Sequence, residues 1–126
     1  TEQAIELMDL QKFADRIVSD LPFGTQKRVE LARALATQPS LLLLDEPACG
    51  LNHEELQGLG ELIRRLQHQL ALTSLLVEHH MGLVMGVCER IVALDFGRKI
   101  ADGTPSEVRN HPDVIRAYLG NEGTSS

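Results

Sequence analysis

The 126-residue chain has no tryptophan, and aromatic residues make up only 3% of it. Leu, Val and Ile must therefore fill its core. Cysteine is as scarce. Cys49 and Cys88 are the only two, and they lack metal-ligand spacing, so no disulfide framework is expected. Both read as reduced thiols in a cytosolic setting. Positive charge is also in deficit. The formal net charge is −6, whereas a nucleic-acid-binding surface is usually basic, so no nucleic-acid partner is expected. No apolar run approaches the roughly 20 residues that span a bilayer, and no signal peptide is visible. The chain begins at Thr1 rather than Met, which raises the expectation that something ahead of it has been removed. What is present is ample apolar content, 43% of residues, enough for one modest domain with one core.

Along the chain, residues 1–8 read as a helix with Ala4, Ile5 and Met8 on one side. Residues 11–17 read as a second short helical piece. The stretch SDLPFG at 19–24 is a break punctuated by Pro22 and Gly24. Helical spacing resumes from Thr25 to Ala36, where Val29, Ala32, Leu35 and Ala36 share a stripe. Leu41–Leu44 is apolar at consecutive positions. This suits a strand buried on both faces, as in a parallel sheet, and Pro39 and Pro47 bracket it too tightly for a helix. Residues 53–70 give the clearest helix, with Leu56, Leu59, Leu62, Ile63, Leu66 and Leu70 at three- and four-residue spacing. Asn52 suits its N-cap, and Glu54 and Glu55 suit its positive end. Residues 73–78 read as a second buried strand and 81–88 as a short helix. Residues 90–103 read as two strands around a tight turn at Phe96-Gly97. Short helices near 105–110 and 112–119 each carry Pro in the first turn. The tail 121–126 reads as flexible.

This order is α/β, with right-handed crossovers between parallel strands. Ligands in such sheets bind at the carboxyl ends of strands. Asp45 and Glu46 stand at one such end and His79 and His80 at the next. A carboxylate at a strand tip can hold a hard cation such as Mg²⁺, often through water. A second carboxylate beside it can activate water for attack on phosphorus. Equally, the acidic pair could simply end a strand and begin a turn, and a strand-end His is commonly a surface or capping residue.

Four ordered blocks carry a resemblance that bears on these alternatives. LPFGTQKRVELARALATQP resembles the signature motif of ABC transporter ATPases, commonly LSGGQ, with the helix behind it. LLLLDEP resembles their Walker B strand and catalytic Glu, ACGLN their D-loop, and LLVEHHM their switch-His strand and loop. The closing GTPSEVRNHPDVIRAYLG is similar to the branched-chain amino acid import subfamily. The resemblance extends from the start to about Gly120. It implies a partial P-loop NTPase fold with mostly parallel strands, flanking helices and a C-terminal hairpin. The signature helix region would occupy about 1–38, the Walker B to switch-His sheet region about 41–103, and C-terminal helices 104–119.

The resemblance also implies roles. Asp45 would help hold Mg²⁺, Glu46 would be the general base, and His79 would contact the γ-phosphate. Leu21, Pro22, Phe23, Gly24, Thr25 and Gln26 would meet an ATP held by a second, head-to-tail subunit, with phosphate favoured at the helix N-terminus. Ala48 to Asn52 would meet their counterparts across that dimer. The partners implied are the second ATPase subunit and membrane permease subunits, at the cytoplasmic face of the cell membrane.

Several residues depart from the family pattern. Pro22 stands at the usual Ser, Thr25 at the signature Gln, and Cys49 at a position usually small. His80 stands where Asp usually follows the switch His. The larger departure is the absence of a G-x-x-x-x-G-K-[ST] loop, whose backbone and Lys cradle phosphates. The three lysines, Lys12, Lys27 and Lys99, all lie outside such a frame. A full domain of this type has roughly 250 residues. Two function classes follow: the C-terminal part of an ATPase subunit that powers branched-chain amino acid import, or a non-catalytic half-domain that folds or dimerises without hydrolysing ATP. A third arrangement has the phosphate-cradling half supplied by a separate polypeptide.

Overall fold

The computed structural model describes residues 2–8 and 10–119. The expected flexible tail at 121–126 lies outside them. The chain divides into two units between Glu78 and His79.

The first unit holds α1 (Glu2–Leu7), α2 (Phe23–Leu35), β1 (Leu41–Asp45), α3 (His53–Leu70) and β2 (Thr73–Val77). Leucine spacing makes α3 amphipathic, and its start is fixed by a reciprocal capping box. The Glu55 amide donates to Asn52 Oδ1 at 2.8 Å, and the Asn52 amide donates to Glu55 Oε1 at 3.2 Å. Two otherwise orphaned donors are satisfied at once. Leu56, Leu59, Leu62, Ile63 and Leu66 are buried, whereas Leu70, expected on the same stripe, is open to solvent on the last turn. Ala71 ends the helix in the left-handed region, at φ 48°.

β1 and β2 pair in parallel, Leu41 with Thr73 through Asp45 with Val77. Leu42 points inward with Leu44 beside it, against Met8 of the first segment, Leu31 and Leu35 of α2, and Leu62 and Leu66 of α3. The expectation of strands buried on both faces is corrected here. Leu41, Leu43, Leu75 and Val77 all point away from this core and remain exposed. Successive residues of a strand face opposite sides, and the helices of this unit cover only the Leu42 side.

Two further boundaries differ from expectation. The short helical piece expected at 11–17 is cut to one 3₁₀ turn at Gln11–Phe13, with a second such turn at Val18–Asp20. Ile17 and Val18 are exposed, so no apolar stripe holds a longer helix against the core. α2 begins at Phe23, two residues earlier than expected, because Pro22 closes the break and Phe23 already has helical geometry. Its buried stripe is Leu31, Ala32 and Leu35, whereas Ala36 lies exposed just past the helix end.

The second unit holds α4 (Met81–Val87), β3 (Ile91–Asp95), β4 (Arg98–Gly103), α5 (Pro105–Arg109) and α6 (Pro112–Val114), the last running into a wider helical turn at Ile115–Leu119. β3 and β4 form an antiparallel hairpin with a bulge after Ala93. Its two-residue turn places Phe96 at φ 49° and Gly97 at φ 77°, the double positive φ that matches strand twist in tight hairpins. Arg90 grips Asp102 with two hydrogen bonds, at 2.9 and 3.1 Å, across the base of the hairpin. α5 packs on α4 and on both strands, and Tyr118 donates its hydroxyl to the Leu94 carbonyl. Among the described residues, no helix is long and apolar enough to cross a membrane.

Candidate functional site

The end of β1 is shaped by its backbone. Asp45, the last strand residue, is exposed. Glu46 follows with φ 47°, a conformation costing an L-residue with a side chain about 1–2 kcal/mol. Two hydrogen bonds hold it there. The Glu46 amide donates to the Val77 carbonyl at 2.7 Å, extending the β1–β2 ladder by one rung, and the Cys49 amide donates to the Glu46 carbonyl at 3.1 Å. The strain turns the chain sharply out of the sheet at the acidic pair, and residues held this way cluster at functional sites. Glu78, at the end of β2, accepts from the Ala48 amide at 3.0 Å. Sequence reasoning passed over this brace, although the pairing of Asp45 with Val77 puts Glu78 next to Glu46 once the register is known.

The loop after Glu46 meets the start of α2. Gly50 has φ 80°, and a Cβ placed on it would lie 2.7 Å from Phe23 Cε1. Phe23 is thus pressed against the Gly50 backbone, with Lys27 Nζ 5.3 Å from its ring centroid. At the next residue of α2, a Cβ on Gly24 would lie 2.0 Å from Glu55 Oε2. The capping carboxylate of α3 therefore sits directly over Gly24, and a side chain there would have to push it aside. Leu21 is buried, and its carbonyl accepts from Gln26 Nε2 at 2.8 Å. Pro22, Gly24 and Thr25 line a cleft of about 820 Å³ with Lys27, Arg28 and Glu54 among its other walls.

The expected site residues thus fall into two groups within the first unit. Leu21 to Gln26, the 47–51 loop and the Asn52 cap are tied together through the Phe23–Gly50 and Gly24–Glu55 contacts. Asp45 and Glu46 stand at the strand end and do not line the cleft. His79 opens the second unit and is exposed. His80 has an evident local role: its Nδ1 accepts from the Leu83 amide at 3.3 Å, capping α4. A side-chain acceptor is what Asp would provide at an N-cap, so this departure from the family pattern keeps the capping chemistry.

Asp45 fits a hard cation. It presents carboxylate oxygens at an open strand end, and Mg²⁺ is commonly held by one or two carboxylates, with water and substrate phosphates completing its shell. Among the described residues no group of three or more His, Cys, Asp or Glu could cage a metal, and a site of this kind needs none.

Comparison with known proteins bears on this geometry. The profile of the ABC transporter family matches residues 1–49, and that of the branched-chain amino acid ATP-binding cassette transporter family matches residues 98–124. Over 116 residues the chain is 51% identical to the high-affinity branched-chain amino acid transport ATP-binding protein LivG of Salmonella typhimurium. It is 47% identical to BraF of Pseudomonas aeruginosa, which carries the same description. This chain corresponds to the C-terminal half of an ABC ATP-binding domain. Each match covers 92% of it and 46% of the relative, so the chain spans about half the length of these relatives. The ADP conformation of MJ1267, an ATP-binding cassette of an ABC transporter, superposes with a TM-score of 0.84 at 28% identity, over 94% of this chain and 48% of that one. Within the ABC domain, the strand and helix order here is that of an α/β ATPase half, as the motif blocks imply.

Proposed function

We propose that the chain is the water-activating, partner-facing half of an ATPase that powers ABC-type import of branched-chain amino acids. The observation that supports this reading is the strand end at Asp45 and Glu46, where two adjacent exposed carboxylate residues close β1 and the second takes a left-handed backbone. Asp45 would hold Mg²⁺, and Glu46 would take the proton of the attacking water. When bound, the cation supplies charge stabilisation at the phosphate. His79 would contact the γ-phosphate. Leu21 to Gln26 would present the α2 N-terminus to a nucleotide on a second subunit, because that end carries free amides and the positive dipole end. Asn52 would hold the α3 cap at the subunit junction. Permease subunits would carry the solute, with the ATPase at the inner membrane surface. The match of residues 98–124 to the branched-chain family supports the choice of solute.

A second reading is favoured by one feature: no Gly-rich, Lys-bearing phosphate loop occurs in this sequence. The chain by itself is then a non-catalytic half-domain. Both readings are tested by a chimera in which the matched half of LivG is replaced by this chain. ATP turnover by the chimera, reduced roughly 10²- to 10⁴-fold by Glu46→Gln, is the expected result, with little or none from the chain alone. Full turnover in Glu46→Gln would remove the role of Glu46.

A further inference from the structure

The second unit carries a cleft of about 710 Å³ between the hairpin turn and the α6 segment. That is an ordinary size for a small-molecule site. Its walls bear charge of both signs. Asp95 and Arg98 pair by register at the end of the hairpin, and Asp113 and Arg116 lie 3.4 Å apart on the helical side. Lys99, also in the wall, is drawn to Asp102 at 3.8 Å. Ile100 and Ala117 add apolar surface. Tyr118 ties the two walls together, because its hydroxyl donates to the Leu94 carbonyl. Phe96 completes the rim, and folding does not account for it. The ring is fully exposed and so buries nothing. The backbone stands at φ 49°, which disfavours a bulky side chain and which Asn or Gly meets easily. An aromatic kept where both burial and backbone argue against it points to contact with something outside the chain.

We propose that this cleft binds a free α-amino acid with an apolar side chain. The carboxylate would lie between Arg98 and Arg116, the ammonium between Asp95 and Asp113, and the side chain against Phe96 and Ile100. Charge selects the class. A polyanion such as a nucleotide would meet Asp95 and Asp113, and a plain cation would meet Arg98 and Arg116. A zwitterion satisfies both, and a guanidinium can hold a carboxylate through two parallel hydrogen bonds. The wall groups are available to it: the Arg116 and Asp113 side chains are 78% and 47% exposed, and exposed ion pairs are weakly held. The wall residues from Arg98 to Ala117 fall within 98–124, the segment that matches the branched-chain family, whereas the general ABC profile matches 1–49. Leucine is therefore the ligand to try first, a choice that rests on the branched-chain reading above. The cleft itself lies in the other unit from Asp45 and Glu46, so its test needs no nucleotide.

The test is to titrate the isotope-labelled chain with L-leucine and follow its amide shifts by NMR. Saturable shifts confined to residues 95–100 and 113–118 are expected, with a Kd of about 1 mM or tighter. Isocaproate lacks the ammonium of leucine and isoamylamine lacks the carboxylate; each should bind about tenfold or more weakly. Arg98→Gln should weaken leucine binding to the same degree. Phe96→Asn should weaken it several-fold while raising the thermal midpoint of the chain, because Asn suits the left-handed turn. That combination separates a lost contact from a damaged fold. No saturable shift with leucine, methionine or phenylalanine, or shifts outside the cleft, would overturn the proposal. So would equal binding of the one-charge analogues or of L-glutamate, or binding unchanged in Arg98→Gln. If methionine or phenylalanine binds there and leucine does not, the amino-acid site stands and the branched-chain choice falls. If leucine binds but the chimera above fails to turn over ATP, the hydrolytic reading fails while this one stands.

Discussion

Replacing Gly50 with Ala probes the contact that ties the start of α2 to the loop beyond Glu46. Two penalties add. Gly50 sits at φ 80°, and holding an L-residue with a side chain there costs about 1–2 kcal/mol. The new Cβ would also lie 2.7 Å from Phe23 Cε1 and 3.2 Å from Cζ. Phe23 is half exposed, so its ring can swing outward. The steric share is then the lost packing of one ring edge and of the Lys27 contact, about 0.5–1 kcal/mol. Together the substitution should destabilise the chain by about 1.5–3 kcal/mol. Urea titration followed by circular dichroism measures it. In a Phe23→Ala background the Gly50→Ala penalty should shrink to its backbone share, a coupling of about 0.5 kcal/mol or more. Gly50→Asn should cost less than Gly50→Ala, because Asn tolerates the left-handed region better. An unchanged midpoint for Gly50→Ala, or an equal penalty with and without Phe23, would refute the contact.

Three other outcomes follow from local chemistry. His80→Ala should cost about 1 kcal/mol through loss of the α4 cap, and His80→Asp should restore it; equal stability of the two variants would remove the capping role. The hydrogen bonds from Arg90, helped by the charges of Arg90 and Lys99, hold the Asp102 carboxyl below the ordinary aspartate range. The folded state then binds fewer protons than the unfolded chain in mild acid. This contribution is full above about pH 4, the unfolded value, and is lost as pH falls through the lower folded value. Stability of Asp102→Asn should therefore change less across that acid window, and the difference should shrink in high salt. Burial pushes the Cys88 thiol up, whereas Cys49 is exposed. Since the thiolate is the reactive form, iodoacetamide should label Cys49 several-fold faster, as read by peptide mass mapping.

The capping boundaries were legible because their chemistry is local. Asn52 and Glu55 lie three residues apart, so the α3 start is written in a single turn. The Phe96-Gly97 turn and the Pro-led starts of α5 and α6 are legible for the same reason. The acidic strand end was legible as a position, since a run of four leucines closes on Asp45 and Glu46. The left-handed turn at Glu46 was not, because it depends on the amide of Glu46 reaching Val77 in another strand. Glu78 was missed for a related reason. Its role as acceptor for Ala48 depends on a contact 30 residues away in sequence. Residues 11–17 were read too long, because Phe13 packs on the core while Ile17 stays exposed and nothing holds the helix beyond Phe13.

By itself the sequence determined where most helices and strands begin and end to within about two residues, the piece at 11–17 excepted, and which chemical groups stand at the strand tips. Those properties depend on neighbours within one turn or one strand. Only the tertiary structure decided which face of the β1–β2 pair is covered. Leu42 and Leu43 are chemically identical neighbours, yet one is 5% exposed and the other 66%. Periodicity can say that two such residues point opposite ways. Whether something packs on each side depends on the rest of the fold, and the described helices of the first unit reach only one.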